Sequence, residues 1–186
     1  LPISPMRIPL SAKARALAEA VAAEWDAQKS HIDPETMPLT RLLATESDRV
    51  APQREEVIAN LLSYVDADAI CYRAPHPAEL RDRQREKWQP ILDWLLREQD
   101  IALLSVEGLM PAQQPPGVSL RLRQVLASLD DPALTAFQAC AALTNSLALS
   151  LALVRRRISA NDVFAAAFLD ELFQAEKWGT DTAAQD

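Results

Sequence analysis

The stretch from Pro132 to Val154 constrains the fold of this chain more than any other feature, because it carries no charged side chain. Asp130 and Asp131 precede it, and three arginines, Arg155–Arg157, follow it. Asp131 followed by Pro132 predicts a helix that begins with a capping carboxylate and has proline at its first position. A helix so evenly apolar must be buried on most sides, by protein or by lipid. About 20 apolar residues are enough to cross a bilayer, so both surroundings have to be weighed.

The polar side chains inside this stretch favour burial in protein over burial in lipid. They are hydroxyl and amide groups: Thr135, Gln138, Thr144, Asn145, Ser146 and Ser150. Much of the remainder is alanine, and a lipid-spanning helix is normally richer in larger apolar side chains. We therefore expect a buried helix at the centre of a domain, with Asn145 in a structural role and no stable membrane insertion.

Charge and glycine content exclude several classes of function. The formal net charge of −7 argues against nucleic acid as a partner, because phosphate binding needs a concentrated positive field. The three glycines, Gly108, Gly117 and Gly179, lie too far apart for a phosphate-binding loop. The two histidines are not spaced with Cys71 and Cys140 as metal ligands would be. The sequence thus indicates no cofactor, no metal site and no catalytic residue.

Apolar residues recur at helical spacing along most of the chain and predict a mainly α, multihelical domain around the uncharged helix. The predicted helices cover residues 11–28, 38–48, 52–65, 77–87, 90–96, 122–129, 132–154 and 159–177. Pro90 is expected to end or kink one helix and begin the next. Residues 69–73 and 101–106 are predicted as one or two short strands. In the last helix, SAND at 159–162 resembles a capping box, and Gly179 is placed to end the helix.

The last helix carries the residues that most favour a binding role. Glu171 falls at the edge of its apolar face, one heptad away from Phe164 and from Trp178. Such a carboxylate pairs with an arginine inside the fold, such as one of Arg155–Arg157, or is aimed at a partner, or is solvated. Catalysis would need a second carboxylate or a nucleophile, and helical spacing places Glu176 more than a quarter turn away from Glu171.

The four tryptophans, Trp25, Trp88, Trp94 and Trp178, fall on or near apolar faces. Core packing is the expectation for each of them. A tryptophan that is exposed beside an arginine would instead be typical of a binding hot spot.

Six segments of the chain resemble, in the same order, one family of proteins. They are ALAEAVAAEWDAQ (16–28), IDPETMPLTRL (32–42), RVAPQREEV (49–57), DAICYRA (68–74), RQREKWQPILDW (83–94) and LDELFQAEKWG (169–179). The family is the assembly chaperones of the F-type ATP synthase that handle the alpha subunit of the catalytic head. Its members occur in mitochondria and in alphaproteobacteria.

The resemblance implies a chaperone that binds the unassembled alpha subunit and prevents its aggregation until beta subunits replace it, without ATP hydrolysis. It implies that Glu171 is functional, and we assign Glu176 and Trp178 to the same client-binding face. Trp25, which matches the family's EWD tryptophan, is assigned a structural role together with Trp88 and Trp94. We expect a monomer in the bacterial cytoplasm or, alternatively, in the mitochondrial matrix.

The same resemblance sets the expected domain organisation. The family has a small β-rich N-terminal region that is largely absent here, so residues 1–10 are interpreted as its remnant or a linker. Residues 11–179 are expected to form the helical chaperone domain, and residues 180–186 a flexible tail. Two other functions remain open on the residues alone: a hydrolase that uses Glu171 and Glu176, and a helical scaffold without client specificity.

Overall fold

The computed structural model describes residues 5–7, 10, 12, 14–108, 110 and 113–179, and the predicted tail at 180–186 lies outside them. The expectation of a mainly α, multihelical domain is confirmed. The α-helices of the described part are α1 Arg15–Asp26, α2 Pro38–Thr45, α3 Arg54–Leu62, α4 Ala78–Gln99, α5 Pro116–Ala127, α6 Asp131–Thr144, α7 Leu147–Val154, α8 Ala160–Ala167 and α9 Leu169–Trp178. Two strands, β1 Tyr72–Arg73 and β2 Val106–Glu107, complete the fold.

The uncharged stretch forms two helices, so the prediction of one continuous helix is wrong. Asn145 ends α6 in the left-handed region, with φ at +51°, a conformation that asparagine adopts more readily than most residues. Ser146 then caps α7 by accepting a hydrogen bond from the Leu149 amide at 3.0 Å. The start of α6 is also shifted by one residue, because Asp130, not Asp131, accepts the capping hydrogen bond from the Ala133 amide.

Helix α7 lies at the centre of the core. Every residue from Leu147 to Ala152 is buried, including the Ser150 hydroxyl, which donates to the Ser146 carbonyl at 2.7 Å. Helices α4, α6 and α8 pack around it. Among the described residues, no helix is both long enough and apolar enough to cross a membrane. The observed burial of α7 agrees with the expectation of a buried helix, which applies to the short α7 more fully than to α6.

A buried carboxylate fixes the beginning of α7. Asp68 accepts hydrogen bonds from the Ser146 hydroxyl at 2.7 Å and from the Ala148 amide at 2.9 Å. Burial raises the pKa of the Asp68 carboxyl, and these hydrogen bonds oppose that shift. Asp68 thus links the 68–74 segment to the central helix.

Helix α4 runs without interruption through Pro90, so the expected helix end at that position is wrong. Pro90 lies on the exposed side of the helix, where the carbonyl that loses its hydrogen bond is accessible to solvent. The helix ends instead at Asp100, whose φ of +57° turns the chain away.

The two predicted strand segments do pair, but only over two residues each. Tyr72 and Arg73 lie parallel to Val106 and Glu107 in that register. Residues 69–71 form a 3₁₀ turn and residues 101–105 are irregular. A strand is therefore present in or at the end of each predicted segment, but each strand is shorter than predicted.

The last predicted helix is also divided in two. The capping box at its start is confirmed, with Ser159 and Asp162 bonded reciprocally. Phe168 interrupts the helix between α8 and α9, and Gly179 ends α9 with φ at +81°. The heptad alignment of Phe164 with Glu171 assumed a continuous helix and is therefore incorrect.

Trp25 lies outside the main core. It packs, half-buried, against a second small cluster formed by Leu10, Val21 and Leu43, and its indole N–H is buried without a partner among the described residues. The neighbouring Glu24 ties α1 to α2 by accepting hydrogen bonds from the amides of Leu39 and Thr40 at 2.8 Å each.

Candidate functional site

The predicted client-binding residues lie on α9, and α4 holds this helix in place. The Trp88 indole N–H donates to the Ala166 carbonyl at 2.8 Å, which fixes the end of α8. Gln84, at 0% exposure, donates to the Asp170 carboxylate at 2.7 Å and accepts from the Ala74 amide at 2.8 Å. These two buried side chains set the direction in which α9 leaves the core.

An ion-pair network locks the outer side of the same contact. Arg83 of α4 makes two hydrogen bonds to the Glu176 carboxylate, at 2.5 and 3.0 Å, and a third to Glu79 at 2.9 Å. Lys177 reaches Glu79 at 2.8 Å. Both cations lie over the Phe173 ring, Arg83 at 5.1 Å and Lys177 at 5.5 Å from its centroid. Although the network is exposed, its cross-linked geometry restricts how α9 can move.

These contacts lower the pKa values of two carboxyl groups, those of Glu79 and Glu176. The hydrogen bond from Arg83 lowers the pKa of Glu176, and the hydrogen bond from Lys177 lowers the pKa of Glu79. Glu176 is therefore bonded to Arg83 within the fold, and its assignment to the client-binding face stays a prediction.

Apolar side chains are exposed beside this network. Phe164 is 56% exposed, Leu172 47% and Trp178 76%. Phe164 also stacks on Phe168, with their ring centroids 4.9 Å apart. An open groove of about 300 Å³ runs between α4 and α9, with Leu172 and Phe173 in its wall. We call this region, from Phe164 to Trp178 with the facing flank of α4, the α4–α9 surface.

Glu171 lies on the exposed side of the first turn of α9. It makes no hydrogen bond or ion pair with any residue that the structure describes. The alternative of a pair with Arg155–Arg157 is not realised, since Arg155 instead reaches the Ser128 hydroxyl at 3.3 Å. A carboxylate at this position is favoured by the helix dipole and is available to a partner.

The residues assigned structural roles lie in three different settings. Trp88 and Trp94 are buried in the main core, and Trp25 is half-buried in the second cluster. The side chain of Asn145 is exposed, and its carbonyl accepts a hydrogen bond from the Ala69 amide at 2.9 Å. The structural roles assigned to these four residues stay predictions.

Sequence reasoning missed the residues that orient the surface. Gln84 lies in a strongly charged helical segment, where nothing in the pattern distinguishes a buried glutamine from a solvated one. Asp170 adjoins Glu171 in the sequence, yet only the structure separates the internally bonded carboxylate from the exposed one.

The described part of the chain shows neither a group of metal-binding side chains nor a groove that Glu171 and Glu176 line together. No group of three or more His, Cys, Asp or Glu side chains there is placed to hold a metal ion. Glu176 lines the open groove beside Arg83, and Glu171 does not line it. The arrangement is one of exposed apolar side chains on a helix that contacts with α4 hold in place.

Comparison with known proteins decides the family. The family model described as ATP12 chaperone protein matches residues 4–96. The crystal structure of Atp12 from Paracoccus denitrificans has 42% sequence identity and a TM-score of 0.90, over 99% of this chain and 79% of that chain. The chain belongs to the ATP12 chaperone family. This confirms the resemblance to assembly chaperones of the F-type ATP synthase that the sequence segments indicated.

Two further proteins match over similar shares of this chain. A protein from Agrobacterium tumefaciens, whose structure has also been solved, is 35% identical with a TM-score of 0.90, over 98% of this chain and 69% of that chain. The mitochondrial protein atp12 of Schizosaccharomyces pombe is 24% identical over 88% of this chain. The chain spans 60% of the length of that relative.

Proposed function

We propose that this protein is a chaperone for the catalytic head of the F-type ATP synthase, that it binds the unassembled alpha subunit, and that it prevents alpha from aggregating until beta replaces it. The observation that carries the proposal is the α4–α9 surface. It presents Phe164, Leu172 and Trp178 to solvent on helices that buried contacts hold in one orientation. Membership in the ATP12 chaperone family supports ATP synthase assembly as the process in which this surface acts.

The mechanism is masking of apolar surface. A free alpha subunit exposes the apolar area that beta covers in the assembled head, and such area promotes aggregation. A protein that binds this area lowers the concentration of the exposed species by mass action, without consuming ATP. Release then requires only that beta form a larger or better packed interface.

Within this surface we assign Trp178 and Leu172 as apolar anchors and Glu171 as the specificity determinant. Tryptophan is the residue type most enriched at energetic centres of interfaces. The unpaired carboxylate of Glu171 would meet a cationic or hydrogen-bond-donating group of the client. Glu176 contributes indirectly, because its bond to Arg83 holds α9 in position.

The surface favours this function over the two alternatives. A hydrolase would need Glu171 and Glu176 in one polar pocket, whereas Glu176 is bonded to Arg83 and Glu171 faces solvent. A scaffold without client specificity would have no need for a tryptophan that is 76% exposed on the helix that also carries Glu171. The relatives come from a mitochondrion and from bacteria, so we place the protein in the bacterial cytoplasm or the mitochondrial matrix.

Co-purification with each ATP synthase subunit tests the proposal. The protein is mixed with separately produced alpha, beta or gamma subunit, and complex formation is followed by size-exclusion chromatography and light scattering. We expect a complex with alpha alone, and suppression of alpha aggregation at near-equimolar chaperone. Equal retention of all three subunits would favour the scaffold, and retention of none would overturn the proposal.

A further inference from the structure

A second groove, on the opposite flank of α4, carries an excess of positive charge. Arg81 and Arg85 of α4 line it, and Arg73 of β1 lines it from the sheet side. These three guanidinium groups face two carboxylates, Asp82 and Glu107, which leaves one excess positive charge. The groove, at about 390 Å³, is large enough for several ligand atoms.

Arg73 is buried in the wall of the groove, and only part of its guanidinium is hydrogen-bonded. The residue is only 8% exposed, and its Nη2 donates to the Gln89 side-chain oxygen at 2.9 Å. Its Nη1 is buried and has no hydrogen-bond partner among the residues that the structure describes. A buried charged group that lacks a partner is costly, and burial lowers the pKa of this guanidinium. An anion in the groove would compensate the charge of Arg73 electrostatically.

The other two arginines are free to take part. Arg85 makes no hydrogen bond or ion pair with any residue the structure describes, and its charge disfavours that of Arg73. Arg81 makes only a long contact of 3.9 Å with the adjacent Asp82. Repulsion among like charges at such a site is relieved when an anion binds between them.

The charge balance favours one carboxylate over a polyphosphate. A single excess positive charge matches a monoanion, and a di- or triphosphate would be repelled by Asp82 and Glu107 in the same groove. Guanidinium groups also bind carboxylates in a planar, bidentate manner.

The groove also has a wall of extended backbone. Ser105 and Val106 line it, and the sheet has only two strands in the described part of the chain, so β2 has one edge without a strand partner. Extended peptides add to such edges through main-chain hydrogen bonds, while pockets receive their alternate side chains.

We propose that this groove binds a glutamate or aspartate side chain presented by an extended segment of a partner protein. Arg73, Arg81 and Arg85 receive the carboxylate, and the edge of β2 receives the peptide backbone. That the segment belongs to the alpha subunit rests on the proposed function, whereas the carboxylate site itself does not.

An NMR titration tests the carboxylate site without any ATP synthase subunit. The carboxylate-site proposal and the client-binding proposal can therefore each fail while the other stands. The ¹⁵N-labelled protein is titrated with the peptide acetyl-Thr-Val-Glu-Val-Thr-amide, with its Glu-to-Gln analogue, and with inorganic phosphate. The backbone amides of 105–107 and the arginine Nε–H resonances are followed. We expect the glutamate peptide to bind at least tenfold more tightly than the glutamine peptide and than phosphate.

Variants assign the effect to the groove. Arg85→Gln removes an exposed guanidinium that makes no fold contact and should weaken binding of the glutamate peptide at least tenfold. Arg157→Gln removes an equally exposed charge outside the groove and should leave binding unchanged. Equal binding of the two peptides, tighter binding of phosphate, or no loss in Arg85→Gln would each overturn the proposal.

Discussion

Replacing Gln84 by leucine should loosen α9 and destabilise the whole domain. The side-chain amide of Gln84 is fully buried and makes two hydrogen bonds, one to the Ala74 amide and one to the Asp170 carboxylate. Leucine has nearly the same volume but can form neither bond. The substitution therefore separates the effect of hydrogen bonding from that of packing.

The expected magnitude follows from the two bonds. A neutral hydrogen bond contributes about 1 kcal/mol net and one to a charged group about 1.5–3 kcal/mol. The added apolar burial of leucine offsets part of the loss, so we expect destabilisation by about 3 kcal/mol. For a chain of this size that lowers the melting temperature by about 6–12 °C.

Thermal unfolding followed by circular dichroism measures this change, and hydrogen exchange of the α9 amides locates it. Gln174→Leu is the matched control, because Gln174 is exposed on the same helix and makes no hydrogen bond with the described residues. The control should change stability by less than about 0.5 kcal/mol. A Gln84→Leu protein that melts within about 2 °C of the parent would refute the argument that Gln84 fixes α9.

Three further predictions concern the same framework. Trp88→Phe removes the bond to the Ala166 carbonyl and part of a buried ring, and should cost roughly 2–3 kcal/mol in denaturant unfolding; an unchanged midpoint would contradict it. Asp68→Asn places an amide N–H₂ against the donors at the start of α7 and should lower the free energy of unfolding by about 2–3 kcal/mol. Denaturant unfolding measures this loss, with the exposed Asp26→Asn as the control. Because the pKa values of Glu79 and Glu176 are lowered in the folded state, their contribution is present above the ordinary value of 4.5 and is lost as the pH falls below it. NMR shifts of α9 should therefore change between pH 5 and pH 3 by roughly the pattern that Arg83→Gln produces at neutral pH, and α9 shifts that do not titrate would count against the network.

The sequence predicted which residues are buried better than it predicted where helices end. The stripe of Leu122, Val125, Leu126 and Leu129 is buried as expected, because helical periodicity reports directly on which side faces the core. The break at Asn145–Ser146 was missed, although serine is a common cap and asparagine a common left-handed residue. Both also occur inside helices, and the interruption depends on the bonds that Asp68 makes from a distant part of the chain.

The candidate site was only partly predictable for a related reason. The exposure of Trp178 and the unpaired state of Glu171 depend on the direction of α9, which Gln84, Trp88 and Arg83 of α4 determine. Contacts between residues so far apart in sequence leave no periodic pattern. The segment LDELFQAEKWG directed attention to α9 through family resemblance, but nothing in it indicated that Glu176 is bonded to Arg83.

The central claim is that the α4–α9 surface binds the client through Glu171, and one measurement tests it most directly. Aggregation of the alpha subunit is followed by light scattering in the presence of the parent protein, of Glu171→Lys, and of Glu98→Lys as an exposed control on α4. We predict that Glu171→Lys melts at the parent temperature yet needs at least tenfold more protein for the same protection, while the control protects normally. Full protection by Glu171→Lys would contradict the account.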